Sequence, residues 1–319
     1  MIFVVISTAQ EKTITLMTWN VENLFDCFDD PQKNDNEFLP DSKKEWTEEK
    51  LNQKIDNLIK VLKEVKNGKG PDILAVQEIE NIEVLKMLKN RFKAFSGYGI
   101  VHYESADPRG IDCALFFNKN KIDSLTSEAI SVDVGANSNT RDILLFGGKA
   151  GKDKFFVFVN HWPSRIGGEE KTELKRIKAA SALINRIDKI KEKNKNARII
   201  AVGDFNDTPL DKSIQEGLGA LPDETGKMIN LTYPFAQKNE GTYKYNEQWN
   251  MLDQVIITKE FLAGNFYIDR ASCKILRPDF AIEKGGKKDG AMLPTYQGKK
   301  YTAGYSDHFP VIVTFVKKK

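Results

Sequence analysis

One pattern recurs five times in this chain and constrains its fold more than any other. A short apolar run stops abruptly at a cluster of amides, carboxylates or imidazole. The run at residues 14–19 stops at Asn20 and Glu22, and the run at 73–76 stops at Gln77 and Glu78. The run at 155–159 ends in Asn160 and His161, and the run at 199–202 in Gly203, Asp204, Phe205 and Asn206. Near the C-terminus, Ser306, Asp307 and His308 stand just before the run at 310–316. Apolar runs of about four to eight residues read as strands. The run at 73–76 has no polar position, as expected of a strand buried on both faces. Strand ends at one edge of a layered sheet converge, so the five clusters are expected to share one cleft. That cleft would hold two of only three histidines.

Further strand signals fall at 99–103, 113–118, 143–146 and 251–258. Leu51, Ile55, Leu58, Ile59, Leu62 and Val65 recur at helical spacing, and Gly68 to Pro71 stop that helix. A shorter helix carries Val84, Leu85 and Leu88. A long one spans about 170–191, with Leu174, Ile177, Ile184 and Ile187 expected on its buried face. Residues 26–46 are polar and acidic and contain Pro31 and Pro40, so they read as a surface insertion. Residues 233–249 read as an aromatic-rich loop. There is no internal sequence repeat and no strict βαβα alternation. Many strands with few helices predict an α/β layered sandwich with two mixed or antiparallel sheets.

Each residue type in the clusters has a chemical use. Hard divalent cations such as Mg²⁺ or Mn²⁺ take oxygen ligands, which Glu78 and Asp307 would supply. No cysteine belongs to the constellation, which argues against zinc. Histidine donates to a phosphate oxygen or exchanges a proton near neutral pH. Asparagine donates without adding charge. The set suits in-line attack of water on a phosphate ester. Singly, each residue also has a structural reading: Asp204 as a turn cap, Asn160 and Asn206 as turn residues, His161 as a packed imidazole. Coincidence in all five clusters is a poor account of them.

The wording of the clusters goes further. TWNVEN at 18–23, VQE at 76–78, VNHWPSR at 159–165, GDFND at 203–207, LDQVI at 252–256 and SDHFPV at 306–311 occur in this order. Together they resemble the endonuclease/exonuclease/phosphatase superfamily of metal-dependent phosphoesterases, and the NVENLFD wording at 20–26 resembles its bacterial extracellular nucleases. The resemblance implies a four-layer α/β sandwich with helices flanking two mixed, mainly antiparallel sheets. It also implies roles. Asn20 and Glu78 line a Mg²⁺ site, with Asp307 beside the metal and Glu22 at a second acidic position. Asp204 orients or deprotonates the attacking water, and Asn206 holds that water or a phosphate oxygen. His308 contacts the phosphate and pairs with Asp253, and His161 supports the phosphate. Ser164, Arg165 and Arg109 are candidate contacts to substrate phosphate, and Arg141 a further one.

Two readings concern location and substrate. Residues 1–12 look like the remnant of a secretory signal, with 13–319 forming one domain; the alternative is an ordinary edge strand. The leader reading places the protein outside the cytoplasm, secreted or periplasmic. No apolar run approaches the roughly 20 residues of a membrane span. Three cysteines without close spacing read as reduced thiols, and the chain as a monomer. Net charge is only +3, yet residues 165–198 hold 11 basic and 5 acidic residues, and 270–319 hold 11 and 4. Residues 20–60 are acidic, with 11 acidic and 6 basic residues. Basic segments suit a polyanion, so a nuclease acting on DNA or RNA is the leading expectation. A phosphatase or phosphodiesterase of a small phosphorylated molecule or lipid headgroup is the alternative. An inactive binding module ranks last, because Glu78, Asp204, Asn206, Asp307 and His308 are all present.

Overall fold

In the computed structural model, which describes residues 12–135 and 139–318, the alternation along β1 (Lys12–Leu24) sets how the layers stack. Ile14 and Leu16 face a second sheet, whereas Met17 and Trp19 face helices. Successive strand side chains point to opposite faces. The helix α1 (Glu48–Lys63) covers the Met17 face with Leu51, Ile55, Leu58 and Leu62. The chain then returns as β2 (Ile73–Ile79), parallel to β1. Its Ile73 and Ala75 face inward and its Leu74 and Val76 face the helices, so the run is apolar throughout. Next comes α2 (Ile82–Arg91), where the Asn81 side chain caps the N-terminus by accepting from the Glu83 and Val84 amides. The strands β3 (Tyr98–His102) and β4 (Asp112–Asn118) pair antiparallel beyond β2.

The second sheet repeats this plan. It opens with β5 (Asp123–Ile130), β6 (Ile143–Ala150) and β7 (Asp153–His161). The long helix α3 (Glu169–Lys193) crosses to β8 (Ile199–Asp204), which runs parallel to β7. Short strands β9 (Ala220–Leu221) and β10 (Met228–Asn230), one turn of helix α4 (Tyr233–Gln237) and the hairpin β11 (Tyr243–Tyr245) with β12 (Gln248–Asn250) lead into β13 (Asp253–Ile257). The chain then rejoins the first sheet as β14 (Phe266–Ile275). A small hairpin, β15 (Tyr296–Gln297) with β16 (Lys300–Tyr301), precedes the last strand β17 (Val311–Lys317). The sheet orders are β14-β17-β1-β2-β4-β3 and β5-β6-β7-β8-β13-β10-β9. Both sheets are mixed and mainly antiparallel. Each contains one strand–helix–strand unit with a parallel pair, although the two halves share no sequence repeat.

The sheets pack face to face through Leu115, Phe117, Phe146, Phe155, Val202, Val255, Val313 and Phe315. Helices cover both outer faces, giving four layers. Burying one such Phe or Val contributes about 1.5–3 kcal/mol.

The structure corrects two expectations and adds two strands. Residues 26–46 are mostly exposed, as expected of a surface insertion, and are pinned at two points: Phe38 stacks on Phe25 at 4.2 Å, and buried Trp46 donates its Nε1 hydrogen to Phe25 O. The buried face of α3 carries Ala179, Ala180, Leu183, Ile187 and Ile190, whereas Leu174 is 69% exposed. The 233–249 loop contains α4 and the β11–β12 hairpin. Strands β5 and β14 carry no clear apolar signal because they are edge strands with exposed faces. The proposed leader lies outside the described residues apart from Lys12, which begins β1. No helix among the described residues is long and apolar enough to cross a membrane.

Candidate active site

The topology brings the polar clusters together. In a parallel pair both C-terminal ends lie side by side, so β1 and β2 deliver Asn20 beside Gln77 and its neighbour Glu78. In the same way β7 and β8 deliver His161 opposite Asp204. Strand β13 runs antiparallel to β8, so its first residue, Asp253, pairs with Asp204. Strand β17 runs antiparallel to β1 and starts at Val311 opposite Thr18, which places Ser306–Asp307–His308 next to Asn20. The Ser306 hydroxyl donates to Asn20 O at 2.7 Å, and the Trp19 indole donates to His308 O at 2.8 Å.

At these ends the backbone leaves regular geometry. Glu22, Asn23, Glu78 and Asn206 have φ of 54°, 50°, 64° and 50°. Left-handed conformations are costly for residues other than glycine and cluster at functional sites. Gly203 has φ of 127°, and a Cβ there would lie 2.1 Å from Asn160 O. Only glycine fits that close approach.

Asp204 Oδ2 is the hub. It accepts from Asn20 Nδ2 at 3.1 Å and lies 3.7 Å from His161 Nε2 and 4.0 Å from His308 Nε2. Its other oxygen accepts from the Asn206 amide at 2.8 Å. Burial, helped by the Asp253 charge, pushes the Asp204 carboxyl up to about 6 against the pull of His308, Asn206 and Asn20. Asn20 also donates to Glu78 Oε1 at 3.1 Å, and Glu78 Oε2 accepts from the Asn23 amide at 2.9 Å. Asn206 Nδ2 donates to Trp162 O.

The two histidines are tuned in opposite directions. Burial would lower His308, but Asp253, Asp307 and Asp204 together raise it well above the usual histidine range. Its Nδ1 lies 2.7 Å from Asp253 Oδ2, which also accepts from the Thr242 hydroxyl at 2.5 Å. His161 is lowered well below that range, first by burial and then by Arg141, Arg109 and His308. Its Nδ1 is buried without a hydrogen-bond partner in the protein.

A cavity of about 830 Å³ opens on this group. Glu78, His161, Asp204, Asn206, Asp307 and His308 line it, as do Ser164, Arg165 and Arg109. Asp307 is pushed up by burial and then by the charge of Glu78, opposed by His308. Two mutually repelling carboxylates with oxygen donors around them, and no thiol, suit a hard divalent cation. A separate group, His102, Glu104 and Asp112, has ligand atoms within 4.8 Å of one another, but its imidazole is engaged by Asp112 at 3.2 Å. It shares no residue with the strand-end clusters.

Three expected contacts are placed differently. Glu22 does not line the cavity. Its Oε2 accepts from the Thr295 amide at 2.6 Å and pairs with Lys54 Nζ at 3.5 Å. Its carboxylate thus serves a buried ion pair behind Asn20, whose Oδ1 accepts from the Glu22 amide. Arg165 lines the cavity, but its guanidinium is bound by Glu169, Asp207 and Asp211 and donates to Asn206 O. It therefore braces the Asp204–Asp207 turn. Arg141 is buried, pairing with Asp107 at 3.2 Å and donating to Trp162 O.

The chain also holds functional neighbours that sequence reasoning passed over. Lys54 is buried and donates to Thr295 Oγ1 and Tyr305 O, which ties α1 to the segment before Asp307. Its signal was a lysine inside the apolar stripe Leu51–Ile55–Leu58. Tyr243 stacks on His308 with ring centroids 4.7 Å apart.

Comparison with known proteins agrees with this architecture. A humanized D. rerio TDP2 is 17% identical, with a TM-score of 0.60 over 95% of this chain and 98% of that one. An endonuclease/exonuclease/phosphatase family protein from Bacteroides thetaiotaomicron is 16% identical, with a TM-score of 0.60 over 97% and 96%. A mannosyl-6-phosphatase from Bacteroides thetaiotaomicron is 16% identical, with a TM-score of 0.57 over 95% and 99%. The comparison with curated proteins finds no match. The model of the endonuclease/exonuclease/phosphatase family matches residues 15–318, nearly the whole chain. With its strand-end clusters gathered on one cavity between two mixed sheets, the chain belongs to the endonuclease/exonuclease/phosphatase family.

Proposed function

We propose that this phosphoesterase is Mg²⁺- or Mn²⁺-dependent and hydrolyses a compact phosphate ester through water activated by Asp204. The observation that carries this reading is the position of Asp204 Oδ2, held by Asn20 and facing two imidazoles in the cavity that Glu78 and Asp307 also line. Glu78 and Asp307, with Asn20 orienting Glu78, would hold the cation. When bound, the cation supplies charge for the phosphoryl oxygens and a template for the substrate. Asp204 takes the proton of the attacking water, and a carboxyl near 6 is matched to that task at neutral pH. Asn206 steadies the turn that carries it. His308, held charged by Asp253, donates through Nε2 to a phosphoryl oxygen as negative charge builds. His161, kept neutral, offers a further Nε2 contact to the same group.

The lining favours a compact ester over a long duplex. Arg165 is neutralised by three carboxylates, and Arg176 is fully buried against Asp207. Arg165, expected to meet substrate phosphate, and Arg176 from the basic 165–198 segment are thus engaged within the protein. A panel of plasmid, RNA, nucleoside monophosphates and sugar phosphates, assayed with Mg²⁺, tests this. We expect kcat/KM for a phosphorylated small molecule to exceed that for plasmid, measured per cleavable bond. The opposite order would restore a nuclease as the leading reading. No hydrolysis of any ester would reject the proposal.

A further inference from the structure

The cavity is larger than a phosphoryl group requires, and part of its wall is apolar and exposed. The strand β11 forms that wall. Tyr243 stacks on the His308 imidazole, and its backbone bridges to His308. Tyr245 is two residues further along the same strand, so its ring lies on the same face. Two strand rises place it about 6.8 Å beyond Tyr243. It lines the cavity and is 60% exposed. The turn after it is tight: Asn246 and Glu247 have φ of 47° and 64°, and Tyr245 pairs with Gln248. Two consecutive left-handed residues make the hairpin turn that matches strand twist. The placement of Tyr245 is thus fixed by its backbone, not by packing of its ring. A second large apolar side chain, Ile166, lines the same cavity and is 84% exposed. It comes from the loop between β7 and α3, next to the braced Arg165.

We infer that Tyr245 is a stacking platform for a ring of the substrate, one strand pleat out from the phosphate at His308, with Ile166 as a second apolar contact. The substrate is then a phosphate ester of a ring-bearing group, a nucleoside or a sugar. The inference rests on reading the cavity as the phosphoesterase site. Two exposed apolar groups from unrelated elements on one polar cavity are covered when a flat ring enters, and aromatic faces take bases and sugar faces alike. The Gln248 and Asn250 amides, on the same hairpin and cavity wall, suit the polar edge of such a ring.

The test compares Tyr245→Ala, Tyr245→Phe and the parent protein, with Mg²⁺, on a nucleoside 5′-monophosphate, a hexose 6-phosphate and glycerol 1-phosphate. For Tyr245→Ala we expect KM for a ring-bearing ester to rise about ten-fold or more, with kcat for that ester and both constants for glycerol 1-phosphate within about two-fold of the parent. Tyr245→Phe should behave as the parent. A rise confined to the nucleotide identifies a base, and one confined to the hexose identifies a sugar. Equal effects on all three esters, or none, would overturn the inference. Calorimetric binding of the same compounds to Asp204→Asn reads the ring contact without turnover. Ring-selective binding, with no hydrolysis of any of these esters by the parent protein, would sink the phosphoesterase reading alone. Hydrolysis without ring selectivity would sink the stacking platform alone.

Discussion

Asp204 is 2% exposed, yet it keeps an oxygen directed at the cavity between Asn20 and two imidazoles. Burial raises its carboxyl to about 6, and a base must be deprotonated to act. Activity therefore falls as pH drops through that value. The proposed cation at Glu78 and Asp307 would oppose that rise. The acid limb of kcat/KM should lie at or below about pH 6, and a limb above pH 7 in the pH–rate profile would contradict the assignment. Asp204→Asn removes the base and should lower kcat by about 10²- to 10⁴-fold. It also removes a desolvated charge but turns one acceptor into a donor facing the Asn20 or Asn206 N–H, so Tm should hold to within about 5 °C. A variant that keeps most of its activity, or loses more than that in a thermal melt, would count against this account. The residues named from the sequence at this scale do meet in space. Glu22 and Arg165 differ because each has an internal partner, Lys54 and Asp207 with Asp211, that no local pattern reveals.

Two elements, β8 and α3, depend on one turn. Gly203 closes β8 with its Cα against the Asn160 carbonyl, and Asp207 at the end of that turn receives Arg176 from α3. Gly203→Ala places a methyl where the Asn160 oxygen already stands, in a backbone region that L-residues avoid. We expect a loss of about 2–4 kcal/mol in denaturant unfolding, with a matching loss of activity. A change below about 0.5 kcal/mol would mean that the strand ends are not held as described. The same ion pair explains the rotated face of α3. Apolar periodicity favoured Leu174, but the helix turns Arg176 inward to Asp207 and leaves Leu174 in solvent. A buried charge pair is invisible to a hydrophobicity pattern, because its partner lies 31 residues away in the chain.

At the scale of the whole molecule, the proposed cation would meet a preformed frame. The Glu78 and Asp307 carboxylates both stand at one edge of the first sheet, which packs on the second through Phe146, Phe155 and Phe315, and that core is built of apolar side chains alone. Chelation should abolish hydrolysis, and Mg²⁺ or Mn²⁺ should restore it. Far-UV circular dichroism and Tm should change little in excess EDTA. Full activity in EDTA would reject the metal reading, and unfolding in EDTA would reject the preformed frame.

Local patterning dictates the alternation and the fully apolar runs of the central strands, and hence two sheets buried between helices. It also dictates that each central strand ends in groups able to bind metal or phosphate, because strand ends and their chemistry are both local. The tertiary structure alone decided which of those groups reach the cavity. The parallel pairs β1–β2 and β7–β8, and the antiparallel returns of β13 and β17, place residues hundreds of positions apart on one edge. The same packing supplied internal partners for Glu22, Arg141, Arg165 and Arg176. A charge is drawn to whichever opposite charge the fold brings within reach, and sequence distance does not measure that reach.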